Sequence, residues 1–258
     1  MLEAHRSSAG TQLVQSFARI GGFLYLLIIV IGVSGEALIR NSLVVAGDPS
    51  ATALRILESE FLWRVGIASQ LLLLVCAVAL TAIWYFLLQP VNKHLALAVV
   101  CFGLVSLSVE SLCALQLQET LDPLTSTALA KVASVEQRYA MSYLALSAHA
   151  KTFGVALIFF GVQCLLVGNL IRKSGYLPAI LGVGMQIVGS CYLVNSFAMF
   201  LSPAVHTMLF PAILLPAFIG ESAMCLWMLV KGVDIAKWNA RLPVVGTKNL
   251  ARDSVPAG

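Results

Sequence analysis

The chain has 258 residues, 59% of them hydrophobic and only 11% charged, with a formal net charge of +4 and a mean hydropathy of +0.91. A soluble domain is about 45–50% apolar and about 25% charged, so this composition excludes a water-soluble enzyme, a disordered chain and a small disulfide scaffold. The basic residues are scattered between apolar blocks and make no nucleic-acid-binding patch.

A membrane-crossing helix needs about 20 predominantly apolar residues, because about 30 Å of hydrocarbon is crossed at 1.5 Å per residue. Six stretches qualify: Phe17–Ile39, Val65–Leu88, Leu95–Leu117, Tyr143–Ile171, Leu177–Leu201 and Leu209–Lys231. Backbone in lipid must satisfy its own hydrogen bonds, so these are helices. The first is too long for a cleaved signal peptide alone and no small-residue cleavage site follows it. The expected fold is an all-α polytopic membrane protein of six helices, with short amphipathic helices in its outer loops. Residues 1–16 are expected as a cytoplasmic segment, 17–234 as one six-helix domain and 235–258 as a cytoplasmic tail, loosened by Pro243, Gly246 and Pro256.

Basic residues set the orientation. With six spans both chain ends share a side, and that side holds Arg6, Arg19, Lys93, Arg172, Lys173, Lys231, Lys237, Arg241, Lys248 and Arg252, ten in all. The other side holds five: Arg40, Arg55, Arg64, Lys131 and Arg138. The expected address is the inner (plasma) membrane, with both termini cytoplasmic.

Two outer connections are long. In the first, Gly47-Asp48-Pro49-Ser50 reads as a turn before an amphipathic helix over Ala51–Arg64, in which Leu54, Leu57, Phe61 and Leu62 alternate with charged residues. The second, Gln118–Ser142, opens at Asp122-Pro123, carries Lys131, Glu136 and Arg138, and is expected to form an interfacial helix or a lid.

Small residues mark close helix contacts in lipid. The fourth stretch carries Gly154, Gly161 and Gly168, and the fifth continues with Gly175, Gly182, Gly189 and Ser196, all seven apart. A seven-residue period keeps one seam on one face at a crossing of about +20°, so these two seams should meet. His149, Ala156 and Gln163 form a separate line nearly opposite the glycines.

Ionisable side chains at membrane depth are costly and face a cavity or a partner. Glu110, His149, Lys151 and Glu221 stand out, with Glu36 and Arg40 spaced to pair near the end of the first stretch. By the helical rise, Glu36, Gln70, Glu110, His149, Lys151 and Asn195 fall within about 10 Å of the outer ends, and Glu221 about 18 Å deep. Polar groups are therefore concentrated in the outer half. Glu36, Gln70 and Lys151 are also close enough to the surface to snorkel. A core histidine and a structural carboxyl remain alternatives for His149 and Glu221.

The six cysteines lie within apolar stretches and show no CxxC pair, so a disulfide framework and a thiolate zinc site have no support. HExxH, GxxxxGK[ST] and GxSxG are absent, which removes the usual signatures of zinc, ATP and serine chemistry.

Several segments resemble a bacterial integral-membrane family of unknown function, DUF4386. They include Ala18-Arg19-Ile20-Gly21-Gly22-Phe23-Leu24-Tyr25, Gly168-Asn169-Leu170-Ile171, Ser174-Gly175-Tyr176-Leu177-Pro178 and Gly220-Glu221 with Leu229-Val230-Lys231-Gly232. The likeness runs from Phe17 to Asp234. It implies about six membrane spans and carries over no activity and no catalytic residue.

The leading expectation is a non-enzymatic membrane protein that binds or conducts a small amphiphile, ion or proton. Its polar cavity lies in the outer half, built on Glu110, His149 and Glu221, with Lys151, Asn195 and Glu36 around it. It needs no cofactor and no metal, and its partners are the bilayer and a small ligand; a homo-oligomer is compatible with this composition. One alternative is a metal-dependent lipid hydrolase using His149 with Glu110 and Glu221. Another is a structural or regulatory subunit with no site.

Overall fold

The computed structural model describes residues 2–241, with side chains from residue 12 onward. The expected loosening residues Pro243, Gly246 and Pro256 lie outside the described residues. The described chain is helical, with no strand among its residues, which makes the protein an all-α polytopic membrane protein. Helix α1 spans Leu2–Ser34 and runs on through a π-helical turn, Gly35–Arg40, to Leu43. Then come α2 (Pro49–Glu58), α3 (Glu60–Leu88), α4 (Lys93–Thr125), α5 (Val135–Ser174), α6 (Ala179–Leu201), α7 (Pro203–Leu209), α8 (Leu214–Val230) and α9 (Ile235–Asn239).

Five helices are long and apolar enough to cross a membrane, and the bent pair α7 and α8, turned by 55°, makes a sixth if it is one span. The sixth stretch expected over Leu209–Lys231 is thus a 17-residue helix with a short helical arm before it. Pro211 stands in the break and accounts for it, while Pro216 falls in the first turn of α8, where no backbone donor is required. A proline cannot donate to the helix ladder and disfavours helical backbone in the residue before it.

The two described chain ends lie at one end of the bundle, called proximal here. Gln15 near the start of α1 donates from Nε2 to the Lys231 carbonyl (2.9 Å) and accepts at Oε1 from the Val233 amide (3.1 Å). The Tyr176 hydroxyl donates to the Leu87 carbonyl at 2.6 Å, which ties the α5–α6 turn to the end of α3. Helix α9 occupies the first residues of the expected tail. Its Trp238 is buried and stacks on Phe86 with ring centroids 6.2 Å apart. Asp234 caps α9, and the Lys237 amide on its carboxylate holds that carboxyl below the usual aspartate range.

At the distal end the expected interfacial helix stops at Glu58, and Glu60–Arg64 belong to the membrane helix α3. The Asp48 side chain accepts from Ala51 at 2.9 Å and Pro49 occupies the first turn, which fixes where α2 begins. Thr52, Ala53 and Ile56 pack inward, while Leu54, Leu57 and Phe61 remain exposed. The second connection is much shorter than expected, because α4 runs through Pro123 to Thr125. A proline this close to the end costs little, since only the last turn loses a donor, and the packing of Leu121 and Leu124 on either side outweighs it. Helix α5 starts on a capping box in which Ser134 and Gln137 satisfy each other's backbone amides.

Two apolar cores result. The larger is proximal and contains Leu87, Leu88, Leu170, Ile171, Met224 and Met228. The smaller is distal and is built on Ile56, Trp63, Leu117 and Leu121. Trp63 is 2% exposed and its indole donates to the Leu117 carbonyl at 2.9 Å. Trp63→Phe removes that donor and some volume, and is expected to lower unfolding stability by about 2 kcal/mol. Titration of detergent-solubilised protein into SDS checks it, and an unchanged midpoint contradicts it.

The glycine seams meet as expected between α5 and α6. A Cβ at Gly189 would stand 2.5 Å from the Gly161 carbonyl oxygen, and one at Gly161 would stand 2.9 Å from the Gly189 carbonyl. Gly168 and Gly182 oppose each other in the same reciprocal way. Gly175, expected in the α6 seam, instead ends α5 with a left-handed φ of +76°. Helix α5 is thereby locked to α6 on one side, which leaves its Ala156–Gln163 face for the interior.

Candidate functional site

All six membrane stretches contribute to one internal cavity of about 340 Å3. It sits on the distal side of the larger core, whose Leu80, Trp84, Val167 and Met185 form its proximal wall. The opening follows from exposure: Val33 on α1, Phe153 on α5 and Phe218 on α8 line the cavity yet are 49%, 38% and 48% exposed. Those three helices leave a lateral gap in the distal half, toward the lipid rather than along the bundle axis.

Two carboxylates face this space, Glu110 from α4 and Glu221 from α8. Glu110 is answered: Gln70 of α3 donates from Nε2 to its Oε1 at 3.0 Å. Glu221 is answered only in part: the phenols of Tyr25 (α1) and Tyr192 (α6) stand within hydrogen-bonding reach of its carboxyl, while its Oε1 is shut off from solvent and has no partner. Buried polar atoms are normally paired, so an unpaired carboxyl oxygen at a cavity wall is open to a donor from water or from a ligand.

A second, smaller cavity of about 20 Å3, room for one water-sized molecule, lies under Arg40 among Trp63, Gly66 and Gln70. The cavities share Gly32 in their walls, and the Gln70–Glu110 hydrogen bond joins their linings. Arg40 pairs with Glu36 across the π-helical turn, and its Nη1 lies 3.5 Å from His149 Nε2. A guanidinium has only donors, so the ring nitrogen facing it is the acceptor. A π-helical turn inserts an extra residue, which rotates Arg40 inward over the cavity while Glu36 stays at the rim.

Of the six residues singled out in the sequence, Glu110 and Glu221 share the large cavity. His149 is buried beside Arg40 and does not line it. Glu36 is exposed, held in its ion pair with Arg40. Lys151 is exposed on α5 and does not line the cavity. Asn195 is buried on α6 with an unpartnered Oδ1, outside the cavity lining. The expected single ring of polar groups therefore divides into a cavity pair and a rim cluster. Among the described residues no group of three His, Cys, Asp or Glu is placed to hold a metal ion. The convergence of His149, Glu110 and Glu221 that a metal-dependent hydrolase requires is not what this fold builds.

Sequence reasoning missed the aromatic lining, Tyr25 and Tyr192 above all. A signal existed for Tyr25, which shares its helical stripe with Gly22, Ile29, Gly32 and Glu36. Gln163 was on the correct line with Ala156, and both line the cavity.

The chain is 25% identical over 166 residues to an uncharacterized protein of Archaeoglobus fulgidus, a match covering 64% of this chain and 83% of that one. No solved structure matches it. The family model for a domain of unknown function, DUF4386, matches residues 20–232, and the chain belongs to that family.

Proposed function

We propose that this protein binds a small amphiphilic molecule within its membrane-embedded bundle, the molecule's apolar body filling the large cavity and its polar head meeting the carboxyls on the wall. The cavity itself carries the reading. About 340 Å3 falls within the roughly 300–1,000 Å3 typical of small-molecule sites, and an apolar cavity of about 150 Å3 already accepts benzene. A bundle selected only for stability would close such a space, since each unfilled cubic ångström costs about 24 cal/mol. The lateral gap at Val33, Phe153 and Phe218 supports entry from the bilayer, where amphiphiles concentrate. The basic-residue count, ten against five, supports an inner-membrane orientation with cytoplasmic termini, so that the gap faces the outer leaflet.

The test uses neopentylbenzene as an apolar probe, equilibrated with protein-loaded and empty lipid nanodiscs. Uptake above that of empty discs is expected for the wild type. Gly32→Phe should remove at least nine-tenths of that excess, because Gly32 lines both cavities and a Cβ there meets only Leu73 Cδ1, at 3.7 Å. A Cβ there meets its neighbour at ordinary contact distance, and replacing a mid-helix glycine favours the helix by about 0.5–1 kcal/mol. Equal uptake by loaded and empty discs would refute the reading.

A further inference from the structure

We infer that the amphiphile this cavity selects is a cation, an apolar molecule with a positively charged amine or quaternary ammonium head seated against Glu221. This rests on the reading above, that the cavity binds an amphiphile, and adds to it the sign of the head group.

Three observations converge on positive charge. The cavity wall holds two carboxylates, and no lysine, arginine or histidine among the described residues lines it. Of the two, Glu110 already has Gln70 and lies on the Arg40 side, whereas Glu221 has an oxygen closed off from solvent with no partner. An unpaired carboxylate in a low-dielectric wall is an incomplete arrangement, and the group that completes it is a cation or a strong donor. The third observation is the company Glu221 keeps. Tyr25 and Tyr192 stand beside it, and Trp84, Phe153, Phe160 and Phe218 complete the aromatic lining. Aromatic faces attract ammonium groups through the ring quadrupole, most strongly where water is excluded. An anion would meet two carboxyls and no basic side chain on this wall, and a neutral molecule without a donor would leave Glu221 Oε1 unanswered.

Anionic and cationic ligands differ too in what the rest of the molecule offers. Arg40 and Arg64 are each engaged with a glutamate four residues away, and none of the distal basic residues Arg40, Arg55, Arg64, Lys131, Arg138 and Lys151 lines the large cavity.

A pair of isosteres tests the inference: benzyltrimethylammonium, and neopentylbenzene, in which carbon replaces the ammonium nitrogen. Both are equilibrated with wild-type nanodiscs, with empty discs subtracted to remove lipid partition. The cation is expected to bind about tenfold more tightly than its neutral twin. Glu221→Gln should abolish that preference, read as the ratio of the two affinities within the same variant, and Glu221→Asp should keep it. Equal affinity of the two probes for the wild type overturns the cationic assignment and leaves the amphiphile site standing. Preference that survives Glu221→Gln also overturns it. Binding of neither probe removes both readings together. If Glu221→Gln does not fold, the comparison of Glu221→Asp with wild type carries the test, since loss of preference in a folded Asp variant counts against the inference.

Discussion

Gly189→Leu is expected to lower the unfolding free energy of the bundle by about 3 kcal/mol, while Gly184→Ala on the same helix leaves it unchanged or slightly raised. The difference lies in what each new atom would meet. At Gly189 a Cβ stands 2.5 Å from the Gly161 carbonyl oxygen and 3.0 Å from the Leu165 amide nitrogen, both backbone, so no rotamer change relieves it. Helices α5 and α6 must then separate, and because Gly161, Gly168 and Gly182 sit in the same seam, the separation propagates along it. At Gly184 the nearest atom is the Gly220 Cα, at 4.0 Å, which is ordinary contact. SDS titration of both variants, followed by far-ultraviolet circular dichroism, checks the prediction. Equal stabilities would mean that the seam is not a close packing surface. Lipid tails are as apolar as leucine, so helices gain little from hydrophobic burial alone and depend on this kind of backbone approach.

The seam was readable before the structure because it depends on a period, and a period is a local property of sequence. The same holds for the spans, whose signal is simply a length of apolar chain. Features that depend on one element answering another were read less well. Pro123 looked like the end of a helix, and by its own chemistry it would be; the burial of Leu121 and Leu124 against the distal core decided otherwise. Leu209 looked like the start of a sixth span, yet it ends α7, and Pro211 separates that short helix from α8, which begins at Leu214 and is turned by 55°. At the site, rise per residue placed Glu110, His149 and Glu221 at useful depths but says nothing of azimuth. The π-helical turn at Gly35–Arg40 then changed the azimuth of Arg40 and brought it to His149, leaving the two glutamates to face the cavity. Composition cannot reveal an orphaned oxygen. It takes the positions of all six spans to show that Gln70 reaches Glu110 and nothing reaches Glu221 Oε1.

Glu221→Met is expected to stabilise the ligand-free protein, by roughly 1–4 kcal/mol, while eliminating preference for a cationic probe. Methionine approximates the glutamate in length and volume, so packing against Tyr25 and Tyr192 changes little. What disappears is an Oε1 that the fold does not satisfy, together with whatever the Tyr25 and Tyr192 phenols donate to the rest of the carboxyl. Replacing a buried ionisable group by an apolar one of similar size is often neutral or stabilising, since desolvation is no longer opposed to folding. A structural glutamate behaves in the opposite way: its partners would be left unpaired by the substitution and stability would fall. Gln70→Leu provides that contrast within the same molecule, because it strips Glu110 of its Nε2 donor and should destabilise by about 1–3 kcal/mol. Unfolding in SDS of wild type, Glu221→Met and Gln70→Leu separates the cases. A Met variant less stable than the wild type would assign Glu221 to the architecture. A more stable one that no longer distinguishes benzyltrimethylammonium from neopentylbenzene would mean that the bundle tolerates a destabilising carboxyl at its cavity wall for the sake of what that carboxyl binds.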